Sequence, residues 1–108
     1  MDTYSVRKDV KKEDFMREGF QYCSFNVLKR QTCLYKNLII MIIIIDFTKE
    51  DVPIHVEVVD SSTGQFYPMN CEYGINEVRD KVKQKYIRVM DDLVKKCLFK
   101  KVKEKVNK

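Results

Sequence analysis

An uninterrupted apolar segment, Leu38 to Ile45, dominates the hydrophobic pattern: it has eight residues, six of them isoleucine, and Asp46 follows it. A membrane-spanning helix needs about 20 apolar residues, so this segment is too short to cross a membrane. β-Branched isoleucines favour a strand, because their restricted χ1 angles suit a sheet and crowd a helical turn. A strand without a polar face needs cover on both sides. The pattern therefore predicts a central strand packed on two faces, or on one face with a partner chain on the other.

The segments around this strand predict an antiparallel sheet. The stretch "FQYCSFNVLKRQTCLY" indicates one or two strands with a turn near Lys29 to Thr32. Further on, "IHVEVV" alternates between apolar and polar residues, "DSSTG" supplies turn residues, and "QFYPM" completes a hairpin that Pro68 confines to an edge. Before the sheet, "VKKEDFMREGF" predicts a short helix from Lys11 to Glu18 that stops at Gly19.

From Ile75 onward, apolar residues recur three and four positions apart. At 100° per residue they fall within a sector of about 120°. They are Ile75, Val78, Val82, Tyr86, Val89, Met90, Leu93 and Cys97. This spacing predicts a long amphipathic helix laid on the sheet. Continued to Val102, the helix would be about 42 Å long against a domain diameter of about 34 Å, so we expect it to break or overhang past Leu98.

Together these elements predict a single α+β domain. It has a short N-terminal helix, a mainly antiparallel sheet of four or five strands, and a long C-terminal amphipathic helix packed on one sheet face. The chain has 108 residues, 44% of them hydrophobic, enough for one core. We expect the domain to occupy residues 1–98, with residues 99–108 as a basic C-terminal tail or helix extension.

Cysteine usage and the N-terminus bear on the compartment. Cys23, Cys33, Cys71 and Cys97 include no C-x-x-C pair, and His55 is the single histidine, so the spacing of a zinc or redox site is missing. The N-terminal residues lack the apolar core of a secretory signal. We therefore expect a cytoplasmic protein with free, mostly buried thiols, no disulfide and no cofactor.

Positive charge is concentrated in the C-terminal third. Residues 79–108 hold 12 Lys or Arg against 4 Asp or Glu, whereas residues 1–78 hold 9 against 12. A basic surface attracts phosphate backbones and acidic proteins. The candidate binding residues are Lys81, Lys85, Arg88, Lys95, Lys96, Lys100, Lys101 and Lys103. Asp91 and Asp92 interrupt this stripe, and a lysine-rich helix exterior is also a common solubilising face.

The leading interpretation is a small non-enzymatic binding or regulatory module that contacts nucleic acid or an acidic protein. The predicted helix–strands–helix order is similar in architecture to double-stranded RNA binding domains, which would bind through shape and phosphate contacts. However, "GINEVRDK" lacks the lysine cluster that such domains carry at the start of the helix. In the tail, Leu98, Phe99, Val102 and Val106 are candidate partner contacts, with a homodimer possible through Leu98 and Phe99. The stripe of Phe99, Val102 and Val106 suits a partner groove or an anionic membrane surface, and the alternative is a solvated chain end.

Two other classes of function stay open. One is a self-associating or protein-inhibiting module that uses the sheet face. The other is a divalent-metal nuclease, because Asp46 and Glu57 resemble the PD-(D/E)xK nuclease pattern over about a dozen residues, with His55 as a candidate base. Where that pattern has lysine, this chain has Val59. Asp46 beginning a loop and Glu57 lying on a solvated strand face would explain the same residues without catalysis.

Overall fold

The computed structural model describes residues 3–67 and 77–102. In chain order, its elements are β1 Thr3–Val6, α1 Lys12–Met16, β2 Gln21–Ser24, β3 Val27–Tyr35, β4 Ile39–Asp46, β5 Ile54–Asp60, α2 Glu77–Lys95 and β6 Phe99–Val102.

The strands form two antiparallel sheets. One has four strands in the order β2-β3-β4-β5, and the other pairs β1 with β6. The α+β class, the antiparallel sheet with the isoleucine strand inside it and the long C-terminal helix are confirmed. The pattern did not predict β1 or β6, because each finds its partner at the opposite end of the chain and neither has a strong local signal.

Strand β3 runs without a break through the positions where a turn was predicted. That prediction, a turn near Lys29 to Thr32, is wrong. The chain instead reverses between β2 and β3 at Phe25 and Asn26, where Asn26 has φ 54°. Asparagine tolerates this left-handed conformation better than most residues.

A two-residue turn joins β3 to the isoleucine strand. Lys36 and Asn37 both have positive φ, 41° and 60°, and the N–H of Leu38 donates to the carbonyl of Tyr35 at 2.8 Å. These are the features of a type I′ turn, whose twist matches that of the two strands it connects. The turn matches the register of the ladder beyond it, in which Cys33 pairs with Ile40 and Gln31 with Ile42, and so decides which isoleucines face the core. A register shift between Cys33 and Tyr35 pairs Tyr35 with Ile39.

The core lies on one face of the four-stranded sheet. Alternate residues of β4 are buried there, and β5 adds Ile54, Val56 and Val58 from the partner positions. The other layer comes from the helices and β6: Phe15, Phe20, Val82, Met90, Leu93 and Phe99 are each at most 1% exposed. No helix in the described residues is long and apolar enough to cross a membrane.

Both helices end in the same kind of turn. After α1, Gly19 has φ 89°, its N–H donates to the carbonyl of Met16 at 3.2 Å, and the N–H of Phe20 donates to the carbonyl of Phe15 at 3.2 Å. This is a Schellman motif, and it brings the Phe15 and Phe20 rings to 5.3 Å between centroids. Gly19 stops the helix, as the pattern predicted.

At the end of α2, Cys97 occupies the position that Gly19 holds after α1. Cys97 has φ 62°; its N–H donates to the carbonyl of Val94 at 3.0 Å, and that of Leu98 donates to the carbonyl of Leu93 at 3.1 Å. The helix therefore ends before Leu98, as expected from its length, and the chain turns back into β6. The prediction that Cys97 belongs to the buried stripe is wrong, because its side chain is exposed. Ile75 lies outside the described residues.

Candidate functional site

Four cations share one exposed side of α2, and we call them the basic helix surface: Lys81, Lys85, Arg88 and Lys95. All four are exposed, and at 100° per residue they span a sector of about 80°. Val82 and Leu93, on another side of the helix, are completely buried and hold it against the sheet. Within the described residues, no carboxylate forms an ion pair with any of the four cations.

An acidic residue lies inside this sector but is engaged elsewhere. The Asp92 carboxylate forms an ion pair with the Lys96 ammonium, which lies one turn further along α2, at 3.1 Å. Asp91 lies on the other flank of the helix and is partly buried. The acids therefore interrupt the surface, as the sequence indicated, without pairing with its cations.

Lys96 differs from the other predicted binding residues because it links two parts of the fold. Its ammonium donates to Glu18, just after α1, and to Asp92 on α2. These hydrogen bonds, the one to Glu18 above all, raise the pKa of Lys96. Lys96 thus connects the ends of the two helices, and it does not belong to the basic helix surface.

The predicted tail begins as a strand. Phe99–Val102 is β6, which pairs with β1 from Thr3↔Val102 to Val6↔Phe99, so these four residues form a strand instead of a helix extension. Lys100 and Lys101 are exposed on β6. Lys103 and Val106 lie outside the described residues.

Leu98 and Phe99, two of the predicted partner contacts, have side chains that belong to the core. Leu98 is 5% exposed and Phe99 is fully buried, with its ring 5.8 Å from that of Phe15. The sequence analysis placed Phe99 in the tail, but the chain leaves the helix before that residue and continues as β6. Val102, at the end of β6, is 41% exposed.

The two candidate catalytic carboxylates, Asp46 and Glu57, do not meet. Glu57 pairs with Ile42, four residues before Asp46 on β4, which puts the two carboxyl-bearing residues roughly 13 Å apart along the sheet. His55 Nε2 lies 2.9 Å from Glu57 Oε1. Nowhere in residues 3–67 and 77–102 do three or more His, Cys, Asp or Glu side chains group as metal ligands. This arrangement gives a two-carboxylate nuclease site no support.

Asp46 instead begins the loop between β4 and β5. Its carboxylate accepts hydrogen bonds from the Thr48 hydroxyl and, at 2.9 Å, from the Thr48 backbone N–H. Since these bonds favour the ionised form, they lower the pKa of Asp46 below its usual value. The geometry is that of a local turn, the non-catalytic interpretation of this residue.

Three of the four thiols are exposed and free: Cys23, Cys33 and Cys97. The expectation of mostly buried thiols is wrong for them. Each lies in or beside an element whose local conformation the sequence did not reveal: Cys23 at a register shift in β2, Cys33 on a sheet face without cover, and Cys97 in the turn after α2. Cys71 lies outside the described residues.

A second surface emerges on the side of the sheet that faces away from the core, and we call it the open face. Partners in adjacent antiparallel strands point to the same side, so the register places three rows there. They are Lys29–Ile44–His55, Gln31–Ile42–Glu57 and Cys33–Ile40–Val59. The three isoleucines are partly exposed, and none of them packs against the core cluster in the described residues.

Phe66 extends the apolar end of the open face. It pairs with Val59 across an isolated antiparallel bridge, so it lies beside Val59 in the third row, and it is 73% exposed. The residues of this surface could not be identified from the sequence. The alternation of apolar and polar residues in "IHVEVV" did indicate that this strand has one polar side. Each of its residues must lie on the same side of the sheet as its partner in the isoleucine strand. Assigning those faces required the register, which depends on the turn at Lys36.

Comparison with protein-family models, with curated proteins and with solved structures finds no match to this chain. Function is therefore inferred from the two surfaces themselves. The basic helix surface offers four exposed cations on α2 that pair with no carboxylate in residues 3–67 and 77–102. The open face offers apolar side chains with charged groups on both flanks.

Proposed function

We propose that this protein is a non-enzymatic binding module whose basic helix surface contacts an anionic macromolecule, either nucleic acid or an acidic protein. The observation that carries the proposal is the set of four exposed cations that share one side of α2 and pair with no described carboxylate. A helix fixed to a sheet holds its cations at set spacings. Binding then orders few additional groups, which favours affinity.

The chemistry of this surface favours contacts with charge over recognition of a base sequence. Lys81 and Lys95 are 14 positions apart, about 21 Å along the helix axis. Three of the four cations are lysines, which act as point charges, whereas the bidentate base contacts that read sequence come mainly from Arg, Asn and Gln. The expected ligand therefore presents a line of phosphates or carboxylates, and binding should weaken steeply with salt.

Binding can be measured by fluorescence anisotropy with a labelled RNA duplex, a labelled DNA duplex and a labelled polyglutamate peptide, at about 20 mM and about 200 mM salt. The test variant replaces Lys81, Lys85 and Arg88 with glutamine. The matched control, Arg7→Gln with Lys8→Gln and Lys49→Gln, removes the same charge from exposed residues elsewhere.

The proposal predicts that at least one probe binds at low salt and that only the α2 variant loses this binding. For a nucleic acid, the loss of three phosphate contacts should make the negative slope of log K against log salt shallower by about 3. Tight binding to RNA or DNA but not to polyglutamate would identify the partner as nucleic acid, and the reverse result would identify an acidic protein. If no probe binds at low salt, or if the control loses as much binding as the α2 variant, the proposal fails.

A further inference from the structure

We propose that the open face binds a second copy of this chain, with a two-fold axis that runs parallel to β4 between the two stacked sheets. This contact is separate from the basic helix surface, because the open face and α2 lie on opposite sides of the four-stranded sheet.

The centre of the open face is a ridge of three isoleucines, Ile40, Ile42 and Ile44. Sheets that pack face to face lie about 10 Å apart, and aliphatic side chains from the two inner faces interdigitate in that space. An axis parallel to β4 places each isoleucine of the ridge next to its equivalent in the second copy. Three partly exposed β-branched residues per chain then lose contact with water.

Charges on the flanks complement each other under this symmetry. Rotation about the axis exchanges the two flanks, so the Lys29 side of one copy faces the side of the other copy that carries His55 and Glu57. Within one chain, Lys29 and Glu57 lie two strands apart, about 10 Å or more, and form no ion pair. In the dimer, each Lys29 lies opposite His55 of the second copy and one row, about 6.6 Å along the strand, from its Glu57. The long lysine side chain spans this distance to the Glu57 carboxylate, and the contact occurs twice.

A two-fold axis that runs across the strands is unfavourable. An axis across the strands through the Ile42 row would place β5 on the β5 of the second copy. Glu57 would then face its own equivalent, and bringing two like charges together while excluding water is costly. Charge therefore favours the axis parallel to β4 over the axis across the strands.

The third row of the open face, Cys33–Ile40–Val59, also fits this arrangement. On the β5 side it ends with the protruding ring of Phe66, and on the β3 side it ends at Cys33, because β2 pairs only with Val27, Leu28 and Lys29. The rotation brings Phe66 of each copy to the side where the row of the other copy is short. The ring, 73% exposed in one chain, covers exposed Cys33 there.

The area of the face indicates a weak dimer. Seven paired positions at about 3.3 Å and four adjacent segments at about 4.8 Å give roughly 440 Å² in projection, or about 900 Å² for two copies. Side-chain relief increases the accessible area above this projection. Stable complexes bury about 1,200 Å² or more, and smaller interfaces are transient, so we expect dissociation constants in the micromolar range.

Sedimentation equilibrium from about 1 µM to about 500 µM tests the proposal with the full chain. The weight-average mass of the wild type should rise from 12.9 kDa toward twice that value. Ile42→Lys should stay at 12.9 kDa throughout, because it places two ammonium groups at the symmetry axis. The matched control Ile87→Lys, at a residue of α2 that is 41% exposed, should associate like the wild type. Circular dichroism and urea unfolding confirm that each variant is folded.

A charge exchange gives a second, independent test. Lys29→Glu and Glu57→Lys should each weaken the dimer several-fold, and the double variant should regain most of the wild-type association because the pair forms again with its charges reversed. A wild type that stays monomeric at every concentration would overturn the proposal and leave the face to another protein or another part of the chain. Association that Ile42→Lys does not reduce, or that the exchange does not restore, would overturn it as well.

Discussion

The two faces of β4 are built from nearly the same residues but lie in opposite environments. On one face, Ile39, Met41, Ile43 and Ile45 are buried, and three of them are completely inaccessible to water. On the other, Ile40, Ile42 and Ile44 stay partly exposed. Hydrophobicity alone therefore does not decide which side of a strand becomes the core. The faces of the neighbouring strands decide it, because a helix packs where those strands also present apolar residues.

This difference assigns separate roles to the two faces. The covered face stabilises the fold, since it is closed by α2, by Phe15 of α1 and by Phe99 of β6. The open face has apolar residues at its centre and Lys29, His55 and Glu57 on its flanks, which is the composition of an interface with a polar rim. Substitutions on the first face should change stability, and those on the second should mainly change association.

The largest effect is expected from Ile43→Thr. This change keeps the β-branched shape but removes a methyl-sized apolar group and buries a hydroxyl where the side chain is completely inaccessible. A small cavity and an unpaired polar group together should lower the free energy of unfolding by about 3 kcal/mol. Urea unfolding followed by circular dichroism measures it; a loss below about 1 kcal/mol would show that this face is not the core.

The same substitution one residue earlier gives the matched comparison. In Ile42→Thr the hydroxyl reaches water on the open face, so the free energy of unfolding of the monomer should fall by about 1 kcal/mol or less. Unfolding is measured at a protein concentration below the range of dimer formation. Equal losses for Ile42→Thr and Ile43→Thr would remove the distinction between the faces.

A substitution at the end of α2 should stabilise the fold without changing the open face. Cys97 holds a left-handed conformation that glycine adopts without strain, so Cys97→Gly should raise the free energy of unfolding by about 0.5 to 1 kcal/mol. Gly19→Ala is the reverse control: its added Cβ would lie 3.9 Å from the nearest atom, so the expected loss of about 1 kcal/mol is backbone strain alone. Association should be unchanged in both variants, and destabilisation by Cys97→Gly would contradict the Schellman assignment.

The smallest effect concerns pH and the loop that follows β4. Hydrogen bonds from Thr48 make the pKa of Asp46 lower in the folded chain than in the unfolded chain. Ionised Asp46 therefore stabilises the fold above its unfolded pKa, and this contribution is lost as the pH falls through its folded pKa. Between about pH 5 and pH 2, the wild type should lose more stability than Asp46→Asn, with Asp51→Asn, an exposed carboxylate of the same loop, as control. Parallel acid losses in wild type and Asp46→Asn would contradict this account.

The elements with strong local patterns could be predicted from the sequence. The isoleucine run could be assigned to an inner strand because of its length and β-branching, and α2 could be assigned because Val82, Met90 and Leu93 recur at helical spacing. Gly19 marked the end of α1. In each case one stretch of chain contains the whole signal.

Features that depend on pairing between distant segments could not be predicted. Strand β6 exists because it pairs with β1, almost the full length of the chain away, and this pairing converts the predicted tail contact at Phe99 into a core residue. The end of α2 depends on Cys97 adopting a conformation that usually indicates glycine. The exposure of the four cations of the basic helix surface, by contrast, could be predicted from the sequence. Helical spacing within α2 alone places them away from the buried residues of the same helix.

The central claim is that β4 has a covered face, which belongs to the core, and an open face, which binds a second copy. The isoleucine side chains of the two faces test it directly. Methyl NMR of isoleucine-labelled protein, recorded from dilute to concentrated samples, resolves both faces of the same strand. The account predicts that the methyl signals of Ile40, Ile42 and Ile44 shift with concentration, while those of Ile39, Ile43 and Ile45, and of Ile87 on α2, stay in place. Signals that do not change with concentration, or changes confined to Ile87, would contradict it.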